Sequence, residues 1–519
     1  MKDHKLVAAI DAGTTGVRCC IFNLQGEMVS GGYFPTPTFY PRPGLVEQDA
    51  ATVIELAFQA TKQAITSSDI HPEDIAALCI THQRNTFVPI DARGNFLTKM
   101  FIWQDQRGDA VHSWMLDRLR EHRLSFEDFY QTNGQPFGNF QCGYKAIWFR
   151  LFMEDIYEKT WKLVTPHAFL THAFGAEDFV DENNDISSWL VADADSQTID
   201  EQFCKIFDLN PDKFAKAVPP GTQVGTVSEE ASKRSGLLQG TPIIAGSGDQ
   251  QCGSLGAGNY GTPDIVLVSM GTAGLCIAYS PEPIRHPTAK CHVQGHPAGG
   301  YTIEGLSSSC MSSFSWAKEL FFDQNVSSQK ELYSHISQLA SRSPLGAKGV
   351  LFLPFLQGAA CPYYDDLARG AYVGMSLATQ KGDMLRATME GISFETKMML
   401  ETLLESDITP AKNLRLIGGA SNNIFWNQMQ ADIYGLPVET ITAGETTALG
   451  AAIIGAVSAG LFPSYREAVR EMTHVLQRYE PDPKIAAAYR EVYTVWSECY
   501  QDLSRGTYKS IAELQNKEA

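Results

Sequence analysis

The chain has 519 residues, too many for one hydrophobic core, so two large domains are expected. Its composition, 44% hydrophobic and 19% charged, excludes a disordered or low-complexity chain. A formal net charge of -18 argues against a nucleic-acid partner, because phosphates attract Lys and Arg; it leaves a nucleotide open, since loops and Mg2+ can offset the repulsion locally.

In chain order, the apolar run Leu6–Ile10 is too short for a signal-peptide core before Asp11 intervenes. Leu6 to Phe22 reads as a strand, a tight Gly13-Thr14-Thr15-Gly16 turn and a second strand, with Asp11 just before the turn. Gly26 marks the turn to a third strand near Met28. Ala51 to Ser67 has helical periodicity, with Val53, Leu56, Ala57, Ala60 and Ile65 on one face. Ile75 to Thr81 is a short buried strand, and Phe87–Asp91 and Phe101–Trp103 flank the turn Ala92-Arg93-Gly94-Asn95. Strands mixed with helices imply α/β layers.

Pro219-Pro220-Gly221 precedes a strand at 224–227, and Pro242 to Gly246 leads into Ser247-Gly248-Asp249-Gln250. The domain boundary is placed near Gly258, giving domains 1–258 and 259–519. The second half opens on an echo of the first hairpin, Ile265 to Ala278, with Met270-Gly271-Thr272 at its turn. Strands follow at 349–353 and Leu414–Ile417, with a helix over Asp383–Leu404. Ala448 to Phe462 is shorter than the ~20 apolar residues a membrane-spanning helix needs. Its small residues fit a buried helix, and no membrane partner is expected. After Pro481 the tail is helical, with Tyr489, Val492, Tyr493, Trp496 and Tyr500 at packing positions. The 11 cysteines show no Cys-x-x-Cys pair or zinc spacing; they read as buried hydrophobes of a reducing cytoplasm. Cys19 and Cys20, adjacent in a strand, face opposite ways.

Four stretches carry candidate chemistry. At Gly13–Gly16 small residues let backbone N–H groups approach a phosphate, Thr14 and Thr15 add donors, and Asp11 is suited to Mg2+, a cation that prefers oxygen. An ordinary hairpin turn is the alternative there, and the echo at Gly271-Thr272 weighs against it. Asp249, after glycines and before a helix, is either a helix cap or the general base that phosphoryl transfer requires. Gly418-Gly419-Ala420-Ser421-Asn422-Asn423 lies between a strand and a helix over 424–434, where the backbone can approach adenine and ribose. It has neither dinucleotide-fingerprint nor P-loop spacing. Gln83-Arg84-Asn85-Thr86 and Trp103-Gln104-Asp105 place polar groups and one aromatic plane at strand ends, which suits a polyhydroxy ligand. Solvated loops are the alternative for each cluster.

Asp11-Ala-Gly-Thr-Thr, Gln83-Arg84, Trp103-Gln-Asp, Gly248-Asp249-Gln250, Met270-Gly-Thr, Gly418-Gly-Ala and Glu445-Thr-Thr-Ala-Leu-Gly-Ala-Ala stand in one order along the chain. Gly370-x-Tyr372-x-Gly374-Met375 is followed after seven residues by Asp383-Met384-x-x-Ala387-Thr388-Met389-Glu390. In these motifs the chain resembles the FGGY carbohydrate kinases, the family of glycerol kinase, xylulokinase, ribulokinase and autoinducer-2 kinase. The resemblance implies an α/β fold of two actin-like (ribonuclease-H-like) ATPase domains around a central cleft. It implies ATP and Mg2+ as cofactors, a small sugar or polyol substrate and a cytoplasmic enzyme, with a homodimer among the expected assemblies. It implies Asp249 as catalytic base and Asp11 as the carboxylate near Mg2+. Thr14, Thr15 and Arg18 match the first phosphate loop, and Gly271 and Thr272 the second. Gly418, Gly419 and Asn423 match the adenosine side. Arg84, Trp103, Asp249 and Gln250 match the sugar side, where Asn85 and Phe140 depart from glycerol kinases, which carry Glu and Tyr there. Xylulokinases carry Met-His-Gly in place of Gln83-Arg84-Asn85, while the tail Tyr479-Glu-Pro-Asp-Pro resembles theirs. The expected substrate is a ketose such as xylulose or ribulose, or a related polyol, with glycerol as the alternative. An actin-like ATPase and a non-catalytic sugar-binding regulator are the rivals of other classes.

Overall fold

A computed structural model describes residues 5–261, 264–322, 329–408, 410–442 and 444–518. The chain runs through β1 (Leu6–Ala12), β2 (Gly16–Phe22), β3 (Met28–Pro35), α1 (Ala50–Thr66), β4 (Ile75–His82), α2 (Pro166–Phe174), β5 (Gln223–Thr226), β6 (Pro242–Gly248) and α3 (Asp249–Gly256). It leaves the first of two compact units at Gly261. There follow β7 (Ile265–Met270), β8 (Gly274–Ser280), β9 (Tyr301–Ser307), α4 (Lys381–Leu404), β10 (Asn413–Ile417), α5 (Ile424–Tyr434), β11 (Val438–Ile441), α6 (Thr446–Ser458), β12 (Val475–Tyr479) and α7 (Pro483–Ser504). The first unit also takes 279–303 and 443–474; the rest forms the second. A linear division at Gly258 describes the first crossing of the chain, and the two later excursions return to the first unit.

The sheet of the first unit has the order β5-β6-β4-β1-β2-β3. β1 lies parallel to β4 and antiparallel to β2, and β4 lies parallel to β6. The register sets Ala12 beside His82, and His82 beside Gly248, so Asp11, the Gln83–Asn85 loop and Asp249 emerge at neighbouring carboxyl ends of parallel strands. Ligands bind at that edge of an open α/β sheet.

Two layers pack on this sheet. On one face α1 buries Val53, Ala57, Ala60, Ala64 and Ile65 in a cluster with Cys19, Ile10 and Phe169. Asp49 caps α1, its Oδ1 accepting from the Thr52 N–H at 2.9 Å. On the other face α6 packs with Cys20, Val7, Ala77 and Leu255. The two adjacent cysteines thus enter opposite cores, as a strand's alternation requires. Small residues along α6 let backbones touch. A Cβ on Gly450 would lie 1.8 Å from the Cys252 carbonyl oxygen, and one on Gly256 2.1 Å from that of Thr446. This contact fixes α3, whose first residue is Asp249. Among the described residues no helix is long and apolar enough to cross a membrane.

The second unit repeats the pattern. Its sheet carries β8-β7-β10-β11-β12 in that order, with Glu304–Ser307 of β9 beside β8. β7 is antiparallel to β8 and parallel to β10, as β1 is to β2 and β4. α4 is buried along most of its length. α7 buries Tyr489, Trp496 and Tyr500, and Trp496 Nε1 donates to the Phe352 carbonyl at 2.7 Å. The tail expected to be helical is so, in two helices, α7 and a second over Thr507–Glu518. The strand expected over 349–353 begins at Leu351, because Ala347, Lys348 and Gly349 hold left-handed backbone that ends a turn. Of the eleven cysteines only Cys499 is not fully buried.

Candidate functional site

Asp11 closes β1, and its backbone partner across the hairpin is Arg18. The Arg18 Nε lies 3.6 Å from Asp11 Oδ2, and Arg18 Nη1 also bonds Glu445, the residue before α6. Asp11 is 9% exposed, and its Oδ1 is buried with no hydrogen-bond partner. Burial raises the Asp11 carboxyl to about 7, against the pull of Arg18. The turn beyond it is closed by the Gly13 N–H on the Gly16 carbonyl at 3.1 Å. Thr14 is half-buried and Thr15 exposed.

From that turn a chain of hydrogen bonds reaches the second motif. Gln48 Nε2 donates to the Thr14 carbonyl at 2.7 Å, and Gln83 Nε2 donates to Gln48 Oε1 at 2.8 Å. Trp103 Nε1 donates to Thr14 Oγ1 at 2.7 Å. Arg84 follows, 9% exposed, with its Nε 3.8 Å from Asp249 Oδ1. Asp249 is the first residue of α3, and the cap position belongs to Gly248. Its Oδ1 accepts from the Gln250 N–H at 2.9 Å, and the side chain is 26% exposed. Burial pushes the Asp249 carboxyl up, while Arg84 and then His82 pull it down. A carboxylate that is raised yet partly open fits proton acceptance. Gln250 Oε1 is buried without a partner.

Asn85 adopts left-handed backbone, φ 56°, and its N–H donates to Asp185 Oδ2 at 3.2 Å. Phe140 is half-buried, its ring 5.6 Å from that of His292, and its carbonyl accepts from the buried Lys145 ammonium. Burial lowers the Lys145 ammonium to about 8.

In the second unit Gly271 and Thr272 form the exposed β7–β8 turn. Their carbonyls are pinned, Gly271 by the Met311 N–H at 3.0 Å and Thr272 by the Ser312 hydroxyl at 3.0 Å. Gly418 follows β10 with φ 92°, and a Cβ there would lie 2.3 Å from the Met270 carbonyl oxygen. Only glycine permits that approach. Gly419 is exposed, with open space where a Cβ would stand. Asn423 caps α5, its Oδ1 accepting from Trp426 N–H at 3.1 Å, and its Nδ2 donates to Ser337 Oγ at 2.9 Å. Both ends of that amide are engaged within the protein.

The candidates therefore fall into two groups. Asp11, Thr14, Thr15, Arg18, Arg84, Asn85, Trp103, Phe140, Asp249 and Gln250 belong to the first unit. Gly271, Thr272, Gly418, Gly419 and Asn423 belong to the second. Around the first group stand residues that sequence reading did not single out as site residues: Gln48, His82, Glu182, Asp185 and Glu445. Glu445 lay inside a quoted motif, and the acidic run at 181–185 was the one available signal for Glu182 and Asp185; Gln48 and His82 became visible only through their bonds in space.

The donor sets suit a nucleotide and Mg2+. Asp11 Oδ1 is an unpartnered buried oxygen, the ligand type Mg2+ takes, and Mg2+ commonly binds through one or two carboxylates plus phosphate and water. Among the described residues no group of three or more His, Cys, Asp or Glu is arranged as a metal cluster. The open face at Gly419 leaves room for a flat ligand.

The family model of the N-terminal domain of the FGGY family of carbohydrate kinases matches residues 6–256, and that of the C-terminal domain matches 266–459. A xylulose kinase of Staphylococcus epidermidis is 24% identical over 504 residues, covering 97% of this chain and 98% of the relative. A glycerol kinase of Acaryochloris marina is 28% identical over 487 residues, covering 90% and 92%. The crystal structure of ligand-bound xylulose kinase from Lactobacillus acidophilus superposes with a TM-score of 0.88 at 20% identity, covering 98% of this chain and all of that one. That likeness shows a shared fold of two α/β domains.

Proposed function

Because the chain belongs to the FGGY family of carbohydrate kinases and is an ATP-dependent sugar kinase, we propose that it phosphorylates a hydroxyl of a ketose such as xylulose or ribulose, with Asp249 as general base. The observation that carries this reading is the Arg84–Asp249 pair at 3.8 Å, set at neighbouring strand ends beside the Asp11 turn.

Each residue has a distinct task. Arg84 donates to the acceptor's oxygens, the Trp103 ring covers a carbon face, and Gln250 offers Oε1 to a hydroxyl. Asp249 takes the proton from the attacking hydroxyl as that oxygen becomes a nucleophile, a contribution typically worth roughly 100- to 10,000-fold. Thr14, Thr15 and Arg18 hold phosphate oxygens, and Arg18 neutralises charge that Asp11 and Glu445 would otherwise face alone. Asp11 supplies the carboxylate for Mg2+. Gly271 and Thr272 take the second phosphate position, and Gly418, Gly419 and Asn423 border the adenosine. ATP with Mg2+, when bound, supplies the phosphoryl group and the charge neutralisation that direct transfer needs. The free, buried thiols suit a reducing cytoplasm.

Glycerol is the second reading, favoured by its name among the relatives. Against it stand Asn85 and Phe140, which remove a carboxylate acceptor and a hydroxyl donor expected for a small triol. Losing one charged hydrogen bond costs about tenfold to a hundredfold in affinity. Neutral Asn85 both donates and accepts, which suits a carbonyl beside a hydroxyl. ADP release measured with D-xylulose, D-ribulose, erythritol, glycerol and gluconate tests the assignment. A ketose should rank first in kcat/KM; glycerol in first place overturns it. Acceptor-independent ATP hydrolysis at full rate would mark an actin-like ATPase, and no ADP release with any acceptor would mark a binding regulator.

A further inference from the structure

The segment after the strand Val180–Glu182 buries more charge than a loop ordinarily does. Asp181, Glu182, Asn184 and Asp185 are 6%, 3%, 2% and 4% exposed. Buried carboxylates are costly unless paired and hydrogen-bonded, so each needs a partner. Glu182 has His82, at the end of β4, with Oε1 and Nε2 3.4 Å apart, and its Oε2 accepts from the Asn184 N–H at 2.6 Å. Asn184 Nδ2 donates to Ser247 Oγ at 3.1 Å, two residues before Asp249. Asp181 Oδ1 accepts from the Thr165 hydroxyl at 2.6 Å.

Asp185 differs from these. Its Oδ2 accepts from the Asn85 N–H at 3.2 Å and from the Ser188 hydroxyl at 3.3 Å. Its Oδ1 is buried without a hydrogen-bond partner. Burial raises the Asp185 carboxyl to about 7, against the pull of Arg84. Arg84 stands with its Nε 3.8 Å from Asp249, beyond the roughly 2.7–2.9 Å of a closed charge-assisted hydrogen bond. The Arg84 guanidinium thus faces the partly open Asp249, and its charge also pulls on the buried Asp185. Asn85, held by Asp185, keeps φ at 56°, a conformation that a non-glycine residue adopts at a cost.

We propose that Asp185 is the positioning residue of the acceptor site: it holds Asn85 in its left-handed conformation and draws on Arg84 so that the guanidinium does not close on Asp249. Closed on Asp249, Arg84 would occupy the oxygen that must take the proton and would no longer point donors at the acceptor. In this proposal Asp185 acts through Arg84 and Asn85, the residues assigned to the acceptor, and not on the acceptor itself. The inference rests on the reading of Arg84 and Asp249 as acceptor anchor and base.

The test uses the full chain and, as probe, whichever of D-xylulose, D-ribulose, erythritol, glycerol and gluconate the wild type phosphorylates with the highest kcat/KM. Asp185→Ala removes both the charge and the acceptor for the Asn85 N–H. Asp185→Asn keeps an oxygen for that N–H and loses only the charge. Asp185→Ser serves in place of Ala if Ala fails to fold. For Ala or Ser, acceptor kcat/KM should fall about tenfold to a hundredfold, the scale of one buried charged hydrogen bond. Asn should recover part of that loss, and KM for ATP and the melting temperature should stay near wild type. Acceptor kcat/KM within threefold of wild type in Ala or Ser overturns the proposal. So does a fall of ATP affinity and melting temperature in step with it, with Asn no better than Ala. Asp249→Asn is assayed in parallel. Wild-type turnover there removes the base assignment, and a polyol or aldonate as best probe removes the ketose assignment. Loss of the ketose assignment leaves the Asp185 comparison intact, because it is read on the acceptor the enzyme uses; loss of the base assignment removes the reason to keep Arg84 off Asp249 and overturns the proposal with it.

Discussion

The indole N–H of Trp103 donates to the hydroxyl of Thr14 at 2.7 Å, which ties the aromatic plane proposed for the acceptor to the turn proposed for phosphate. Trp103→Phe keeps a plane and loses the donor. A neutral hydrogen bond contributes about 1 kcal/mol, so kcat/KM should fall roughly fivefold. Thr14→Val should lose at least as much, because it also removes the hydroxyl assigned to phosphate, and the double variant should be no worse than Thr14→Val, because the indole donor then has no acceptor left to lose. Additive losses in that double-mutant cycle would mean the two residues act independently.

Asp249→Asn should reduce kcat by roughly 100- to 10,000-fold and leave ATP binding near wild type, because an amide keeps the shape but takes no proton. A variant with half the normal turnover would take Asp249 out of the mechanism. The wild-type acid limb is also informative. The base works ionised and burial raises its carboxyl, so activity should fall as pH drops at values above the ordinary 3.8. Arg84 opposes that rise, so Arg84→Gln should move the limb to higher pH. A limb that stays put in Arg84→Gln counts against the pairing.

Asp11→Asn should abolish activity and raise stability. The folded-state carboxyl sits near 7 against 3.8 for the free group. A group raised on folding contributes stability fully present below its unfolded value and lost as pH rises through its folded value. At pH 8 the buried charge is therefore a net cost, with an upper bound of about 4 kcal/mol. The variant's gain in urea unfolding should grow from about pH 4 to about pH 7 and then level off. A variant less stable than wild type at pH 8 would show that Arg18 and Glu445 depend on the Asp11 charge.

The buried His82–Glu182 pair predicts a stability loss on the alkaline side. Burial opposes the imidazolium, but the hydrogen-bonded Glu182 outweighs it and raises His82 from 6.5 to about 9. Its contribution is fully present below pH 6.5 and lost as pH rises through 9, on the order of 3 kcal/mol. Glu182→Gln should destabilise the protein by about 3–5 kcal/mol at pH 6, because one buried partner is left alone. The gap to wild type should narrow at pH 9. Denaturant midpoints at pH 6, 7.5 and 9 decide it; a gap independent of pH would assign the loss to packing alone.

Much of the architecture was legible from spacing. The face Val53, Ala57, Ala60 and Ile65 gave the helix Ala50–Thr66, and the small residues of 448–462 marked a helix whose backbone touches its neighbour. The two Gly-Thr turns foretold two hairpins that share one pattern of partners. Asp249 stood out because glycines precede it and a helix follows. Local steric and periodic signals of this kind act within a few residues and therefore show in a linear reading.

What the linear reading left open is what long-range packing creates. Arg18 and Glu445 bond across 427 positions, Trp103 and Thr14 across 89, and Asn85 and Asp185 across 100. Nothing in the run Asp181-Glu182-Asn183-Asn184-Asp185 distinguishes a solvated acidic loop from a buried platform, because that depends on where β4 and β6 place His82, Arg84 and Ser247. The sequence by itself determined the element types, the two Gly-Thr turns and the residues that carry the family pattern, since propensity, sterics and motif spacing are properties of neighbours in the chain. Only the tertiary structure decided which carboxylates are buried, which share one arginine and which stay open to a ligand, because desolvation and charge pairing are set by neighbours in space.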